Sequence, residues 1–359
     1  MLQTRQPVLK RFWNPVMPVD MLDDGPKPFK LFGVDIVLWK DSHGHVSALE
    51  DRCCHRTAKL SIGNVKVDER GESLACAYHG WQYGLDGACV KIPQQPELTA
   101  QMCGARAKVK RYYAEARYGY VWVCLEEPLA GIPDFPEEEL PDHRRIMQFY
   151  KVWKCSGLRL MENSFDNAHF SFVHHTSFGQ GHQPIPASIK LTPTDYGFIF
   201  ETQAAVNNPE IQKKILRTDE DETIRHMRNR WYLPFIRKLH ITYPNGLVHA
   251  IVTCATPIDD ESIQVCQWAY RNDTEEQAPA ADIIAFDRQV TSEDQAVLES
   301  TDFDAPLGLG SGEERHMPSD QPGMMMRKRL IELLKTHGEE EARLPGRSGA
   351  PMQAAERAA

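Results

Sequence analysis

The 359-residue chain has no apolar run long enough to cross a membrane, because a spanning helix needs roughly 18 or more consecutive apolar residues. It also lacks an excess of positive charge. Its net charge of −9 argues against binding to nucleic acid, whose phosphates are neutralised mainly by Lys and Arg. The first residues, MLQTRQPVLKRFWNPV, lack the apolar centre of a secretory signal. These absences predict a cytoplasmic protein that binds neither membranes nor nucleic acid.

Cysteine is neither abundant nor regularly spaced, which excludes a secreted disulfide framework. The chain has nine cysteines, an odd number scattered between positions 53 and 266. Most of them are expected to be small buried side chains. The chain also lacks a G-x-G-x-x-G fingerprint in a strand–turn–helix context, so we do not expect it to take hydride from a nicotinamide cofactor itself.

Two short clamps of cysteine and histidine lie in the first quarter of the chain. They are Cys53-x-His55 in DRCCHRTAKLSIG and Cys76-x-x-His79 in CAYHGWQYGLDG. Two thiolates and two imidazoles suit a [2Fe–2S] cluster of the Rieske type, in which two His replace two Cys on one iron. Neutral imidazoles leave such a cluster less negative than four thiolates would. This raises its potential and suits it to relaying electrons.

A single tetrahedral Zn²⁺ on the same four residues is the alternative, because Cys₂His₂ is a common structural zinc set. In zinc fingers, Cys tends to pair with Cys and His with His, whereas each clamp here contains one of each. In a Rieske cluster, one iron is bound by two cysteines and the other by two histidines. If the two loops face each other, each loop must then supply one cysteine and one histidine. Cys54, beside the first ligand, is predicted to pack rather than to bind metal.

A second constellation is Asp166, His169 and His174 in ENSFDNAHFSFVHHTSFG, with the spacing D-x-x-H-x-x-x-x-H. Two His and one carboxylate form the facial triad of non-haem Fe(II) oxygenases. Positions five apart on a regular α-helix lie about 140° apart, so the two His need a π-bulge or a break after His169 to meet. His175 competes with His174 as the second ligand.

The two constellations together, on a chain of this length, resemble the catalytic (α) subunit of Rieske non-haem iron oxygenases. The resemblance covers the Cys/His clamps, a linker, NSFDNAHFSFVH and the segment VTSEDQAVLESTD at 290–302. Arg56 follows His55, and the clamps lack the extra cysteines that form a disulfide in respiratory Rieske proteins. The short, α-only length looks more like dicamba-demethylase-like and carbazole-dioxygenase-like enzymes than like the ring dihydroxylases that carry a β subunit.

The resemblance implies roles for individual residues. His169, His174 and Asp294 match the ligands of the mononuclear iron, with Glu293 as the neighbouring rival of Asp294. Asp166 matches the acid that links the iron ligand His169 to a Rieske histidine of the neighbouring subunit, here His79. Cys53, His55, Cys76 and His79 match the cluster ligands.

The resemblance also implies an α+β fold, with an all-β Rieske [2Fe–2S] domain followed by a helix-grip-like catalytic domain of antiparallel sheet and helices. We expect the Rieske domain at 1–130, a linker at 131–150, the iron domain at 151–338 and a disordered tail at 339–359. Local patterns predict strands at 29–50, 117–125 and 236–271, and helices at 160–175, 280–300 and 324–336.

The function that the resemblance implies is that of a terminal oxygenase. Electrons from NAD(P)H would reach the cluster through a separate flavin-dependent reductase, with or without a ferredoxin. The iron would then use O₂ to hydroxylate or oxidatively demethylate a small organic substrate. The electron route of the family crosses a subunit boundary, which implies a homotrimer. Alternatives are a cis-dihydroxylating aromatic ring dioxygenase and a Rieske-type electron-transfer protein without oxygenase activity.

The sequence indicates the substrate pocket only loosely. Its walls are expected from 200–270, where aromatic and polar side chains mix. The residues concerned are Trp231, Tyr232, Phe235, His240, Tyr243, His249 and Trp268. The charged segment 206–230 is expected to be a solvated helix or a mobile cover, and could offer acidic groups to a cationic or nitrogen-rich substrate. A basic run at 108–111 (KVKR) could dock an acidic electron donor, or be an ordinary solvated strand edge.

Overall fold

The computed structural model describes residues 1–69, 71–98, 107–181, 183 and 185–347. They divide into two compact units, one formed by Lys10–Ile132 and the other by Met1–Leu9 with the chain from Pro133 onward. No helix in these ranges is long and apolar enough to cross a membrane. The cytoplasmic location stays a prediction.

The first unit is built mainly from antiparallel strands. Those in its described residues are β1 Asn14–Pro18, β2 Lys27–Leu31, β3 Val34–Lys40, β4 Val46–Glu50, β5 Asn64–Asp68, β6 Gly71–Ala75, β7 Gln82–Tyr83, β8 Cys89–Lys91, β9 Arg111–Arg117 and β10 Tyr120–Cys124. Their order is β1-β10-β9-β4-β3-β2 in the larger sheet and β5-β6-β7-β8 in the smaller. The strands predicted at 29–50 and 117–125 are confirmed, with an additional turn at Phe32–Gly33.

One clamp loop connects the larger sheet to the smaller one, and the other connects two strands of the smaller sheet. Cys53 lies between β4 and β5, and Cys76 lies between β6 and β7. Both cysteines are buried in an apolar cluster that includes Leu60, Leu74 and Trp81. This apolar packing fixes the position of both cysteines at the roots of the two loops.

The second unit combines one long antiparallel sheet with helices. Its described strands are β11 Arg144–Trp153, β12 Ile189–Thr194, β13 Gly197–Asn207, β14 Glu222–Tyr232, β15 Ile236–Thr242, β16 Val248–Pro257 and β17 Ile263–Arg271. Its described α-helices are α1 Gly157–Ser164, α2 Phe170–Val173, α3 Glu210–Leu216, α4 Ala280–Leu298 and α5 Gln321–Thr336. The strand order is β11-β17-β16-β15-β14-β13-β12. The strands predicted at 236–271 and the helices predicted at 280–300 and 324–336 are confirmed.

One face of the sheet forms the floor of a cavity, and α1, α2 and α4 cover it. Successive side chains of a strand point to opposite faces, so three alternate residues from each of β14, β15 and β16 reach the cavity. Met227, Ile241 and His249 form one cross-strand row of this floor. The opposite face of β17 is also covered, since Trp268 packs on Phe135 with ring centroids 5.7 Å apart. Covering on both faces explains why all nine β17 residues are buried.

The domain boundaries differ from the expected ones at both ends of the second unit. Strand β11 begins at Arg144 and pairs with β17, so the second part of the expected linker belongs to the sheet. The tail expected from 339 is ordered as far as 347. There, Leu2 N–H donates to Ala342 O at 2.7 Å and Val8 N–H to Glu339 at 2.8 Å. Residues 348–359 lie outside the described part of the chain.

The segment 206–230 is not the solvated helix that its charge suggested. Only α3 is helical, and the segment ends in strand β14. The alternate residues Arg225, Met227 and Asn229 are buried. Two of these three inward residues are basic or polar, so the strand lacks the alternation of apolar and polar residues that predicts a strand from sequence.

Candidate active site

In the structure, the two clamp histidines lie next to each other, and so do the two clamp cysteines. The His55 and His79 rings lie 4.6 Å apart between centroids. Cys76 neighbours Cys53, and burial together with the charge of Cys53 raises the pKa of the Cys76 thiol. The two loops therefore present a thiol pair and an imidazole pair, as an iron–sulfur cluster with unlike irons requires.

This sorting argues against a single zinc ion. The four ligands of a tetrahedral Zn²⁺ all lie within about 4 Å of one another, given Zn–ligand bonds of roughly 2.0–2.3 Å. Among the described residues, no three of the clamp side chains have ligand atoms within 4.8 Å of one another. A [2Fe–2S] cluster, whose two irons are held separately by thiolates and imidazoles, needs this wider spacing.

His55 has the properties of a metal ligand. Burial, with smaller effects from His79 and Arg56, lowers the pKa of His55 and favours the neutral imidazole. Its ring stacks on Trp81 at 4.5 Å with an interplanar angle of 5°. Its Nδ1 is buried and has no hydrogen-bond partner within the described chain. A buried nitrogen of this kind normally has a partner, and a cluster iron would provide one.

Tyr83 is a neighbour of the clamps that the sequence did not indicate. Its hydroxyl lies 3.0 Å from Cys53 Sγ and 3.3 Å from Cys54 Sγ. Hydrogen bonds to the sulfur ligands of a cluster are one of the factors that set its potential. The packing role expected for Cys54 is wrong, because Cys54 is exposed. Its sulfur contacts the tyrosine hydroxyl at the edge of the site.

The second constellation converges on three ligand atoms. His169 Nε2 lies 3.2 Å from His174 Nε2. Asp294 Oδ1 lies 3.5 Å from the first nitrogen and 3.3 Å from the second. Ligands of one ion at about 2.1 Å and at right angles are about 3 Å apart, so the triangle has the dimensions of a facial triad. It is the only group of three or more potential metal-binding side chains found within 4.8 Å across the described residues.

A break in the helix brings the two histidines together. Helix α1 ends at Ser164, and α2 begins only after His169, so the break precedes His169 rather than following it. His169 and His174 then bracket the single turn of α2, and the exposed His175 is directed to Phe172 O instead. Gly179 allows the following loop to close on this turn, since a Cβ there would lie 2.1 Å from Phe170 O.

Each histidine is held at its other nitrogen by a carboxylate. His169 Nδ1 lies 3.1 Å from Asp166 Oδ2, and the same Asp accepts the Ala168 N–H at 2.7 Å. His174 Nδ1 lies 2.8 Å from Glu293 Oε2. Metal-binding His residues usually donate their second N–H to such a group, which fixes the ring and leaves the free nitrogen directed at the metal.

Glu293, the alternative to Asp294 as the carboxylate ligand, therefore lies behind His174 and not beside the free nitrogens of the two histidines. It also accepts hydrogen bonds from Thr176 at 2.7 Å and Ser177 at 2.8 Å. Asp294 instead points Oδ1 at the two Nε2 atoms, and this oxygen is buried without a well-aligned hydrogen bond from the described residues. Burial opposes ionisation of Asp294, but hydrogen bonding and charge from His174 outweigh it and lower the pKa of the carboxyl.

The triad opens on the cavity between the sheet and the helices. The cavity measures about 110 Å³, which is of the order of the roughly 150 Å³ cavity that holds one benzene molecule. Its apolar lining includes Phe170, Phe178, Met227, Leu239, Ile241, Ile251, Phe286 and Val290. Its polar lining includes Arg225, Asn229, Arg237, His249, Thr253 and Gln267.

The expected pocket walls are partly wrong. Tyr243 and His249 line the cavity, but the other five expected residues do not. Four of them, Trp231, Tyr232, Phe235 and Trp268, are buried in the core. His240 is half-buried and lies 3.3 Å from Glu137 Oε1, outside the cavity. The acidic groups expected from 206–230 are absent from the described lining, to which this segment contributes Arg225, Met227 and Asn229.

Comparison with known proteins agrees with this geometry. Residues 12–112 match the family described as the Rieske [2Fe-2S] domain, and residues 153–336 match the vanillate O-demethylase oxygenase C-terminal domain. Methylxanthine N1-demethylase NdmA of Pseudomonas putida is 30% identical over 348 residues, which are 92% of this chain and 91% of the relative. Methylxanthine N3-demethylase NdmB of the same organism is 30% identical over 303 residues, 81% of each chain.

Solved structures show the same fold. The structure of NdmA with caffeine matches with a TM-score of 0.79 and 28% identity, covering 93% of this chain and 94% of that one. Dicamba monooxygenase bound to 3,6-dichlorosalicylic acid matches with a TM-score of 0.78 over 92% of this chain and 99% of that one. At 20% identity, this second likeness shows the fold alone.

A Rieske domain followed by an oxygenase domain defines a class of two-centre oxidoreductases. The chain belongs to the Rieske non-haem iron oxygenases, as a catalytic subunit whose second domain is of the vanillate O-demethylase type. Its cofactors are a Rieske [2Fe–2S] cluster and mononuclear iron, with O₂ as co-substrate. The predicted family, fold class and cofactors are confirmed, and an electron carrier without oxygenase activity is not supported. The individual ligand assignments stay predictions.

Proposed function

We propose that this chain hydroxylates or oxidatively demethylates a small organic substrate at an iron held by His169, His174 and Asp294. The observation that carries the proposal is the triangle of 3.2, 3.3 and 3.5 Å between their ligand atoms, at the wall of a cavity sized for a small molecule. The relatives support single-oxygen chemistry over ring dihydroxylation, because NdmA and NdmB are named as N-demethylases.

Two sets of residues would hold the cofactors. Cys53 and Cys76 would bind one iron of the cluster, and His55 and His79 the other, in keeping with the sorting of thiols from imidazoles. Bound at these sites, the cluster supplies single electrons, and the mononuclear iron supplies O₂ activation beside the substrate. The protein contributes ligand geometry, substrate position and exclusion of water.

The chain's own residues prepare the site in three ways. Asp166 and Glu293 hold the Nδ1 atoms of His169 and His174, so both Nε2 atoms face one point. The covering helices place apolar side chains such as Phe170 over the cavity, which limits the entry of water. In the resulting low-polarity environment, charges inside the cavity interact more strongly than they would in solution.

Electron delivery is proposed to involve other chains. A separate reductase, with or without a ferredoxin, would reduce the cluster. The exposed Lys108 and Arg111 of the basic run offer positive charge to an acidic donor. Within a homotrimer, Asp166 would connect His169 with His79 of the neighbouring subunit. Its side chain is 31% exposed although it contacts His169, so part of the carboxylate is free to accept such a contact.

The proposal is tested by identifying the products that the protein forms from candidate substrates. In oxidative demethylation, one O₂, two electrons and two protons convert an N- or O-methyl group to N–H or O–H, with release of formaldehyde and water. The purified protein, reduced by a reductase and NADH or supplied with peroxide, is incubated with methylated aromatic and heterocyclic compounds. We expect formaldehyde with a demethylated product, or a product heavier by one oxygen atom.

The control is the variant His169→Ala, which should retain the cluster spectrum and give no product. A product heavier by two oxygen and two hydrogen atoms would instead establish cis-dihydroxylation. Equal product from wild type and His169→Ala would overturn the proposed iron site.

A further inference from the structure

Buried arginines of the second unit generally have a carboxylate partner. Arg271 and Arg327 are 0% and 3% exposed, and they pair with Asp273 and Glu162 at 2.5 Å. This is the expected arrangement, because a guanidinium removed from water is costly unless it is paired and hydrogen-bonded. The buried Arg225 and the partly exposed Arg237 line the cavity, and neither has a carboxylate partner among the described residues.

Arg225 is the clearer case. It is 6% exposed, and its guanidinium lies 4.4 Å above the ring of Phe178, which in turn stacks on His174. Its Nε has no hydrogen-bond partner, and no Asp or Glu of the described residues lies within ion-pair distance. A ring face attracts a cation but supplies no hydrogen-bond acceptor for the N–H groups.

Arg237 is held differently but also lacks a carboxylate partner in the described structure. Its Nε donates to Asn229 Oδ1 at 3.0 Å, and both residues line the cavity. Burial lowers the pKa of Arg237 to about 10, so the group stays cationic at neutral pH. The charge of Asp294 raises the pKa of Arg237, and the iron would neutralise that charge in the proposed function.

The two arginines stand at opposite ends of the cavity floor. Arg237 pairs across strands with Trp231. Arg225 lies six residues before this tryptophan on the same strand, a separation of about 20 Å along the backbone. The floor between them is largely apolar, with Met227, Leu239 and Ile241. The arrangement fits a small molecule with an apolar body and an acidic group at one end.

We propose that the substrate of this enzyme is a small organic anion, bound through its acidic group by the guanidinium of Arg225 or Arg237. This inference rests on the proposed function for the position of the iron and narrows the substrate class to acids such as aromatic carboxylates. The acidic group supplies the missing counter-charge, and the apolar body lies over the sheet. Charge-assisted hydrogen bonds to Arg are the strong, directional contacts that such a group makes.

The test compares two probes of the same shape, benzoate and benzamide. Binding to the iron-loaded protein is measured by calorimetry for the wild type, Arg225→Gln, Arg237→Gln and the double variant. We expect the wild type to prefer benzoate by about tenfold or more, since hydrogen bonds to charged groups have that effect. At least one single variant should lose most of this preference, and that variant identifies the arginine concerned.

The matched control is Arg230→Gln, which removes an exposed arginine from the same strand and should leave the preference unchanged. Removing an unpaired buried charge should also not lower the melting temperature of the ligand-free protein. This separates a binding defect from a folding defect. An equal affinity for the two probes would overturn the inference. So would a benzoate preference that survives in the double variant, because the carboxylate would then be binding the iron alone.

The same experiment separates this inference from the proposed function. If the arginine variants lose the benzoate preference while no methylated compound is turned over, the anion site holds and the proposed reaction fails. If neutral methylated compounds are turned over and benzoate has no advantage, the reaction holds and the anion site fails.

Discussion

At the scale of single residues, neighbouring acids on α4 have separate tasks. Successive residues of an α-helix point about 100° apart, so Glu293 and Asp294 cannot both face the same point. Asp294 faces the Nε2 atoms of His169 and His174, whereas Glu293 holds Nδ1 of His174 from behind at 2.8 Å. The geometry makes Asp294 the candidate iron ligand and Glu293 a positioning residue.

Replacing Glu293 by Gln should weaken iron binding by about tenfold, the lower end of the effect of losing an outer partner of a metal ligand. The amide can still accept one hydrogen bond from His174 but no longer carries the charge that supports the imidazole. Iron affinity is measured by titration of the metal-depleted protein. Asp282→Asn, which removes a partly exposed charge from the first turn of the same helix, should leave the affinity unchanged. An unchanged affinity in Glu293→Gln would show that the contact does not position His174.

At the scale of elements, the acid-rich segment before the sheet is a structural part of the second unit. The short 3-10 helix Pro136–Glu139 places the buried Glu137 against β15, with Lys238 at 2.7 Å and His240 at 3.3 Å. Burial alone would raise the pKa of Glu137, but the hydrogen bonds from His240 and Lys238 outweigh it and lower the pKa to about 2. The ion pair anchors what the sequence indicated as a linker.

Glu137→Gln should therefore lower the free energy of unfolding of the second unit by about 3 kcal/mol at pH 7. The folded pKa lies below the value of about 4.3 for an unfolded Glu, so the contribution is complete above roughly pH 5 and is lost as the pH falls towards about 2. In urea unfolding, the difference in the free energy of unfolding between wild type and variant should thus shrink steadily as the pH is lowered from about 5 to about 3.

The neighbouring Glu138→Gln is the matched control for this measurement. Glu138 pairs with Arg145 but is 32% exposed, so its loss should cost less than about 1 kcal/mol. A gap between wild type and Glu137→Gln that stays constant across this pH range would contradict the assigned ionisation of Glu137.

The sequence predicts the chemistry of these elements better than their packing. The clamps and the D-x-x-H-x-x-x-x-H spacing are local patterns, and α4 has a regular amphipathic sequence, so each is readable from the chain alone. The cavity lining depends on which alternate residues of β14 and β15 face inward, and that register is set by pairing between distant strands. Arg225 and Arg237 could therefore be seen in the sequence but not placed in one cavity.

At the scale of the whole molecule, the proposed electron path from the cluster of one chain to the iron of the next can be tested with mixed assemblies. Cys53→Ser removes a cluster ligand and His169→Ala an iron ligand, so each variant alone should be inactive. Co-expressed in equal amounts, they should recover about a quarter of wild-type activity in random head-to-tail trimers. Half of the chains then keep the iron, and half of those have a neighbour that keeps its cluster.

Distinct affinity tags on the two variants, purified in tandem, show that mixed assemblies have formed. Tandem-purified assemblies without activity would contradict the crossing path. A second test adds Asp166→Asn to the Cys53→Ser chain, which keeps the iron. If the recovered activity stayed unchanged, the crossing path through Asp166 would also be contradicted. The second variant matters because Asp166 is the proposed connection at the iron side, 3.1 Å from His169.

The most direct test of the two-centre assignment is metal and sulfide analysis of wild type and His169→Ala, combined with the visible spectrum. We expect about three irons and two acid-labile sulfides per wild-type chain, with the absorption of a Rieske cluster. In His169→Ala we expect about one iron fewer and an unchanged cluster spectrum. Stoichiometric zinc in a colourless protein, or an iron content that does not fall in His169→Ala, would contradict the assignment.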